Sequence, residues 1–123
     1  MVVKVAPIAA YLAVLRTAVA GIAARDRFTL DQVEDLRMAV DEAANQLLHH
    51  VSGGWIEMTV VPTDTGIEVR LLAEVDTSDQ VIDESSFSWL ILRELADELR
   101  VESQQSVSTI VLSKHRLIAQ GGA

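Results

Sequence analysis

Cysteine is absent from all 123 residues. That excludes disulfides and thiolate metal sites, and it makes a reducing cytoplasm the expected setting. Positive charge is scarce as well: 10 Lys and Arg stand against 18 Asp and Glu, a net charge of −8. Direct nucleic-acid binding needs basic surface to neutralise phosphates, so it is not expected here. An acidic surface suits a partner with a basic one. No apolar run is long enough to span a bilayer, because Pro7, Arg16 and the polar residues between 25 and 35 break up the alanine-rich start. The N-terminus also lacks the basic region and long apolar core of a signal peptide. Glycine is sparse and unevenly placed, with none between Ile67 and Gln120. No Gly-x-x-x-x-Gly-Lys loop, no GxGxxG and no serine in a nucleophile elbow occurs. His49 and His50 are consecutive and diverge on a helix, so they do not form a chelating pair.

The length is that of one domain, and a hydrophobic fraction of 50% is enough for a sizeable core. Its organising stretch is Thr29 to His50, which reads as one long helix. Val33, Leu36, Val40, Ala43 and Leu47 recur at spacings of three and four and form an apolar stripe. Asp35, Glu42, Asn45 and His49 form a polar line on another face. Thr29 is placed to cap the start, with Gln32 where a capping-box partner belongs. The polar line is either an ordinary solvated face or a site of chemistry. Spacing alone does not choose between them.

Val2–Val5 reads as a short strand ended by Pro7, with an exposed edge guarded by Lys4 or open to a second copy. Residues 8–24 read as a helix whose inner face carries Leu12, Leu15, Val19 and Ile22, with Arg16 beside it. Ser52-Gly53-Gly54 reads as a loop. Trp55 to Val61 and Ile67 to Val75 alternate and form a hairpin around the Pro62–Gly66 turn, anchored by Trp55. Ser85 or Ser86 caps a further helix over Phe87 to Leu99, with Ile91, Leu92, Leu95 and Leu99 inward and Trp89 either in the core or lining a pocket. Val101–Ser103 and Val107–Ser113 read as a closing hairpin that turns near Gln104-Gln105. Strand, helix, helix, hairpin, helix and hairpin predict an α/β two-layer sandwich, a mostly antiparallel sheet with helices on one face. The domain is expected over 1–114, with 115–123 as a tail.

Carboxylates are the remaining chemical candidates. Asp41 and Asn45 lie four apart and Glu42 and Asn45 three apart, close enough on one helix to cooperate. A carboxylate can act as general base, and an amide oxygen one turn on can ligate Mg²⁺.

The run Asp35 to Leu48, DLRMAVDEAANQLL, resembles the N-box helix of the histidine-kinase-like ATPase superfamily. Leu15-Arg16-Thr17, Asp35-Leu36-Arg37, Ala39-Val40-Asp41-Glu42, Ser86-Phe87-Ser88-Trp89 and Leu95-Ala96-Asp97 follow one another in the order seen in small anti-sigma factor serine kinases of the RsbW and SpoIIAB type. Ser-Phe-Ser-Trp is a narrower marker, shared with the UsfX-like branch. The resemblance implies a Bergerat-type ATPase fold. It also implies sequestration of an alternative sigma factor, usually by a homodimer, and release by a STAS-type anti-anti-sigma protein. Active members use Mg-ATP to phosphorylate a serine of that antagonist. By the same resemblance, Arg16 contacts a partner, Glu42 is the general base of an active kinase, Asn45 or Gln46 holds Mg²⁺, and Asp76 is the adenine-binding aspartate.

The sequence departs from the family in three places. Four residues beyond Glu42 stands Gln46 and not asparagine, while Asn45 comes one residue early and pairs by spacing with Asp41. The adenine motif is represented by Asp76-Thr77-Ser78 without its glycines, and Ser86-Phe87-Ser88-Trp89 replaces the Gly-x-Gly-Leu that approaches the phosphates. A phosphate cradle of bare backbone amides normally needs glycine, because side chains block close approach and positive φ costs about 1–3 kcal/mol per residue. Weak or absent ATP binding is therefore expected, with the fold serving as a binding scaffold. The alternatives are an active serine kinase and a domain that binds only a STAS protein or another regulator.

Overall fold

The computed structural model describes residues 1–76 and 83–117. Strand β1 (Val2–Val5) is followed by a 3₁₀ turn (Ala9–Tyr11) and helix α1 (Leu12–Ala24). Helix α2 (Leu30–His50) runs directly into β2 (Val51–Pro62), which turns into β3 (Gly66–Val75). Helix α3 (Phe87–Leu95) and the hairpin β4 (Glu98–Gln104) and β5 (Val107–His115) complete the order. The five strands form one sheet in the order β1-β2-β3-β5-β4, every pair antiparallel. The expected two-layer α/β sandwich is what forms.

Each layer follows from its pattern. On β3, Ile67, Val69, Leu71, Ala73 and Val75 are all buried, and Ile56, Met58 and Val60 do the same on β2. Period-two burial of this kind makes one packed sheet face. Leu12, Leu15, Val19 and Ala23 of α1 and Leu36, Ala39, Val40, Ala43 and Leu47 of α2 supply the helical side of the same core. The opposite sheet face carries charge. Arg70 and Arg100 flank Val111 in register, and both reach Glu68 and Glu102 at 2.9–3.5 Å. Val111 is thereby buried on the face away from the helices. The long stems of such arginines cover apolar surface while their heads stay wet. The hydrogen bond from Arg100 holds the Glu102 carboxyl below its ordinary 4.5. Its folded-state pKa is depressed, so its contribution to stability is present above that value and is lost as pH falls through the lower folded one.

Helix α2 starts where the sequence predicts. The Thr29 hydroxyl accepts from the Gln32 N–H at 3.1 Å, and the Thr29 N–H donates to Gln32 Oε1 at 3.2 Å, a complete capping box. Thr29→Ala is expected to destabilise the protein by about 1 kcal/mol, read as a lowered urea midpoint with unchanged m-value.

Several boundaries move. Ser52-Gly53-Gly54 is not a loop: β2 begins at Val51, and the register slips between Val51 and Ile56 so that the glycines form a bulged strand start. Gly54, at φ +75, takes the turn-like conformation that glycine tolerates best. Helix α3 stops at Leu95 and not at Leu99. Ala96 is extended at ψ 150, the Asp97 N–H donates to the Ser113 carbonyl, and Leu99 reaches the core from β4. Strand β4 accordingly starts at Glu98, three residues before the expected Val101, and the turn centres on Gln105 at φ 56. Trp55 does not anchor the hairpin, since it is 58% exposed. Trp89 is buried, and it lines a hollow of about 300 Å³ with Arg93, Ala96 and Leu99. Strand β5 continues through His115, and Arg116 bonds to Asp26 and to the Asp64 carbonyl. These two residues of the expected tail are thus part of the fold, and 118–123 lie outside the described residues.

Candidate functional site

The polar side of α2 lies between α1 and α3, and both neighbours reach onto it. From α1, Arg16 Nη1 donates to Asp41 Oδ1 at 2.9 Å, with both side chains about one-third exposed. From α3, the Ser88 hydroxyl donates to Glu42 Oε1 at 2.5 Å. Further along the same face, the buried Lys114 of β5 places Nζ 3.3 Å from Asp35 Oδ2 and 2.8 Å from the Leu95 carbonyl. Four elements therefore meet at three carboxylates of one helix. Asp35 and Glu42, two members of the predicted polar line, are engaged by other elements.

Helix α3 reaches this position for local reasons. The Ser86 hydroxyl accepts from the Trp89 N–H at 3.2 Å and caps the helix, whereas Ser85 folds back on Asp83. Trp89 and Leu92 are buried, which turns Ser88 toward α2 and leaves Phe87 and Leu90 outward at 76% and 55% exposure. Lys114 then satisfies the last carbonyl of the helix.

Glu42 and Arg16 both lie on the α1–α2–α3 side of the molecule. Asn45 and Gln46 are half-buried on α2 next to them. Consecutive helical residues diverge by about 100°, so Gln46 shares a line with Glu42 and Asn45 one with Asp41. In each line the carboxylate is already engaged, by Ser88 or by Arg16. Asp76 follows β3 directly and is exposed; Thr77 and Ser78, the rest of the adenine-motif equivalent, lie outside the described residues. Among the described residues there is no cluster of three or more His, Asp or Glu able to hold a metal ion.

These positions do not fit a Mg-nucleotide as they stand. Glu42 Oε1 already accepts from Ser88, the Trp89 N–H in the first turn of α3 is taken by Ser86, and no glycine between Ile67 and Gln120 offers bare backbone to a phosphate. The sequence marks Ser88 only as part of Ser86-Phe87-Ser88-Trp89, without its contact to Glu42, and it gives no signal for Lys114. Their partners lie 46 and 79 residues away, and neither contact leaves a spacing signal along the chain.

No family model matches the chain. Over 90 residues it is 37% identical to the anti-sigma-F factor RsbW of Mycobacterium tuberculosis, a match covering 72% of this chain and 53% of that protein. The chain is a homologue of the RsbW proteins. It is also 24% identical to the serine-protein kinase RsbW of Bacillus subtilis over 126 residues, 85% of this chain and 78% of that one. The chain thus spans about half the length of the mycobacterial relative and most of the Bacillus one. A crystal structure of the RsbU and RsbW domains of a Mycobacterium tuberculosis protein superimposes with a TM-score of 0.72 at 11% identity, over 94% of this chain and 32% of that one. It establishes the shared fold. Among the described residues no helix is long and apolar enough to cross a membrane.

Proposed function

We propose that this RsbW homologue is an anti-sigma factor that sequesters an alternative, stress-type sigma factor in the cytoplasm and is displaced from it by a STAS-domain antagonist. One contact favours binding over catalysis: the Glu42 carboxylate, which a kinase would use as base, accepts the chain's own Ser88 hydroxyl at 2.5 Å. Mg-ATP affinity on this reading is weak or nil, and partner exchange is driven by competition. The acidic surface suits the basic, nucleic-acid-facing side of a sigma factor, so docking there occludes polymerase or promoter contacts. Arg16 is the partner-contacting residue. It lies at the seam between α1 and α2 and must exchange Asp41 for an acidic group of the partner. Strand β1 pairs with β2 on one side only, and its other edge is the expected homodimer seam.

The test is affinity capture of the tagged protein from its own lysate, with mass spectrometry, with and without Mg-ATP. A sigma factor recovered equally in both arms is the expected result, falling about tenfold for Arg16→Ala, the scale of one lost charged contact. No sigma factor in either arm overturns the reading. The name of the Bacillus relative keeps an active serine kinase as the second reading, with Glu42 as base and Asn45 or Gln46 on Mg²⁺. Phosphate transfer to a STAS partner, lost in Glu42→Ala, would establish it.

A further inference from the structure

We infer that Ser88 is a built-in ligand of Glu42, and that this contact holds α3 against α2 without a bound nucleotide. The inference deepens the reading of the chain as a nucleotide-independent RsbW homologue and rests on it.

Helix α3 has nine residues, too few to persist without outside support. Its support comes from both ends. At the N-terminal end the Ser88 hydroxyl donates to Glu42 Oε1 at 2.5 Å, a bond to a charged acceptor and so of the stronger kind. At the C-terminal end Lys114 Nζ bridges the Leu95 carbonyl and Asp35. Both attachments land on the same face of α2, about two turns apart, at Glu42 and Asp35. Between them Trp89 and Leu92 fill the core.

The groups used are also those a nucleotide or a phosphoacceptor would need. An incoming serine hydroxyl would have to share the Glu42 carboxylate with Ser88. At the start of α3 the Ser86 hydroxyl already holds the Trp89 N–H, one of the amides a phosphate would use there. Ser88 thus acts as an internal pseudosubstrate: it satisfies the carboxylate and fastens the helix in one contact. It also fixes the direction in which Phe87 and Leu90 point. The outer surface of α3 is therefore set by the chain itself and needs no added ligand.

Amide hydrogen exchange of the purified full chain, followed by mass spectrometry over α3, tests this. The samples are wild type, Ser88→Ala and Ser88→Thr, each with and without millimolar Mg-ATP. Ser88→Ala is expected to speed exchange over 89–95 by about tenfold, the effect of one lost hydrogen bond to a charged acceptor, with α1 unchanged. Ser88→Thr, which keeps the hydroxyl, is expected to retain protection, and Mg-ATP is expected to leave the wild type unaltered. Unchanged α3 exchange in Ser88→Ala overturns the inference. So does a slowing of wild-type α3 exchange by Mg-ATP, which would return the holding role to the nucleotide. No sigma factor is present in this assay, so its outcome is separate from that of the capture experiment.

Discussion

Gly66→Ala is expected to lower the melting temperature by about 10 °C or more, a loss near or above 3 kcal/mol. A Cβ at this position would stand 1.9 Å from the Lys114 carbonyl oxygen and 2.9 Å from the His115 Cα. Both neighbours are backbone, so no side chain can swing aside. The strands would have to separate where Gly66 faces His115 in register. That separation would disturb the Gln32–His115 bond at the start of α2 and the seat of Lys114 beneath α3. Gly21→Ala is the control. Nothing lies within 4 Å of the added methyl, the site is an exposed helical position, and the change is expected to stabilise by about 0.5–1 kcal/mol. Thermal melts of the two variants should move in opposite directions. A Gly66→Ala protein that melts with the wild type would show that the β3–β5 pairing opens at this end without cost.

Leu36→Ala should cost about 2–5 kcal/mol, a large part of the roughly 5–15 kcal/mol that holds a domain together. Leu36 is fully buried in the stripe that α2 lays on the sheet, among Leu15, Val40 and Leu71 in one continuous core. The loss combines the transfer of the removed carbons with the cavity they leave, and a helix pinned by its cap and by Lys114 cannot collapse far into that space. Urea unfolding should show a lower midpoint with the m-value unchanged. Leu30→Ala, on the same helix at 88% exposure, is expected to stay within about 0.5 kcal/mol of wild type. Equal losses at the two positions would contradict the assignment of the inner face.

Most of the fold was legible because it is written in local periods. The three-and-four spacing of Leu36, Val40, Ala43 and Leu47 located α2, the alternation from Ile67 to Val75 located β3, and Thr29 with Gln32 located a helix start. Misreadings came where a distant contact overrode a local preference. Residues 96–99 are acceptable in a helix, but the Ser113 carbonyl and the Lys114 ammonium end α3 early and leave Leu99 to a strand. Ser52-Gly53-Gly54 has the composition of a loop, yet its neighbours on β3 draw it into the sheet. Trp55 was expected to anchor the hairpin, but it is in phase with Glu57 and Thr59 rather than with the buried Ile56, Met58 and Val60, so the alternation of β2 turns it outward.

For the site, residue types and helical spacing by themselves determined that Asp41, Glu42, Asn45 and Gln46 lie within about a turn and a half of a single helix, and that glycine is missing where a phosphate cradle would need it. Both are properties of neighbours along the chain, fixed by helix geometry and by the lack of a Cβ in glycine alone. Which carboxylate is engaged, and by what, was decided only by the tertiary structure. Arg16 is 25 residues from Asp41, Ser88 is 46 from Glu42 and Lys114 is 79 from Asp35. Packing of α1, α3 and β5 around α2 brings these groups within hydrogen-bonding distance, and a contact made by packing has no period along the chain from which to be read.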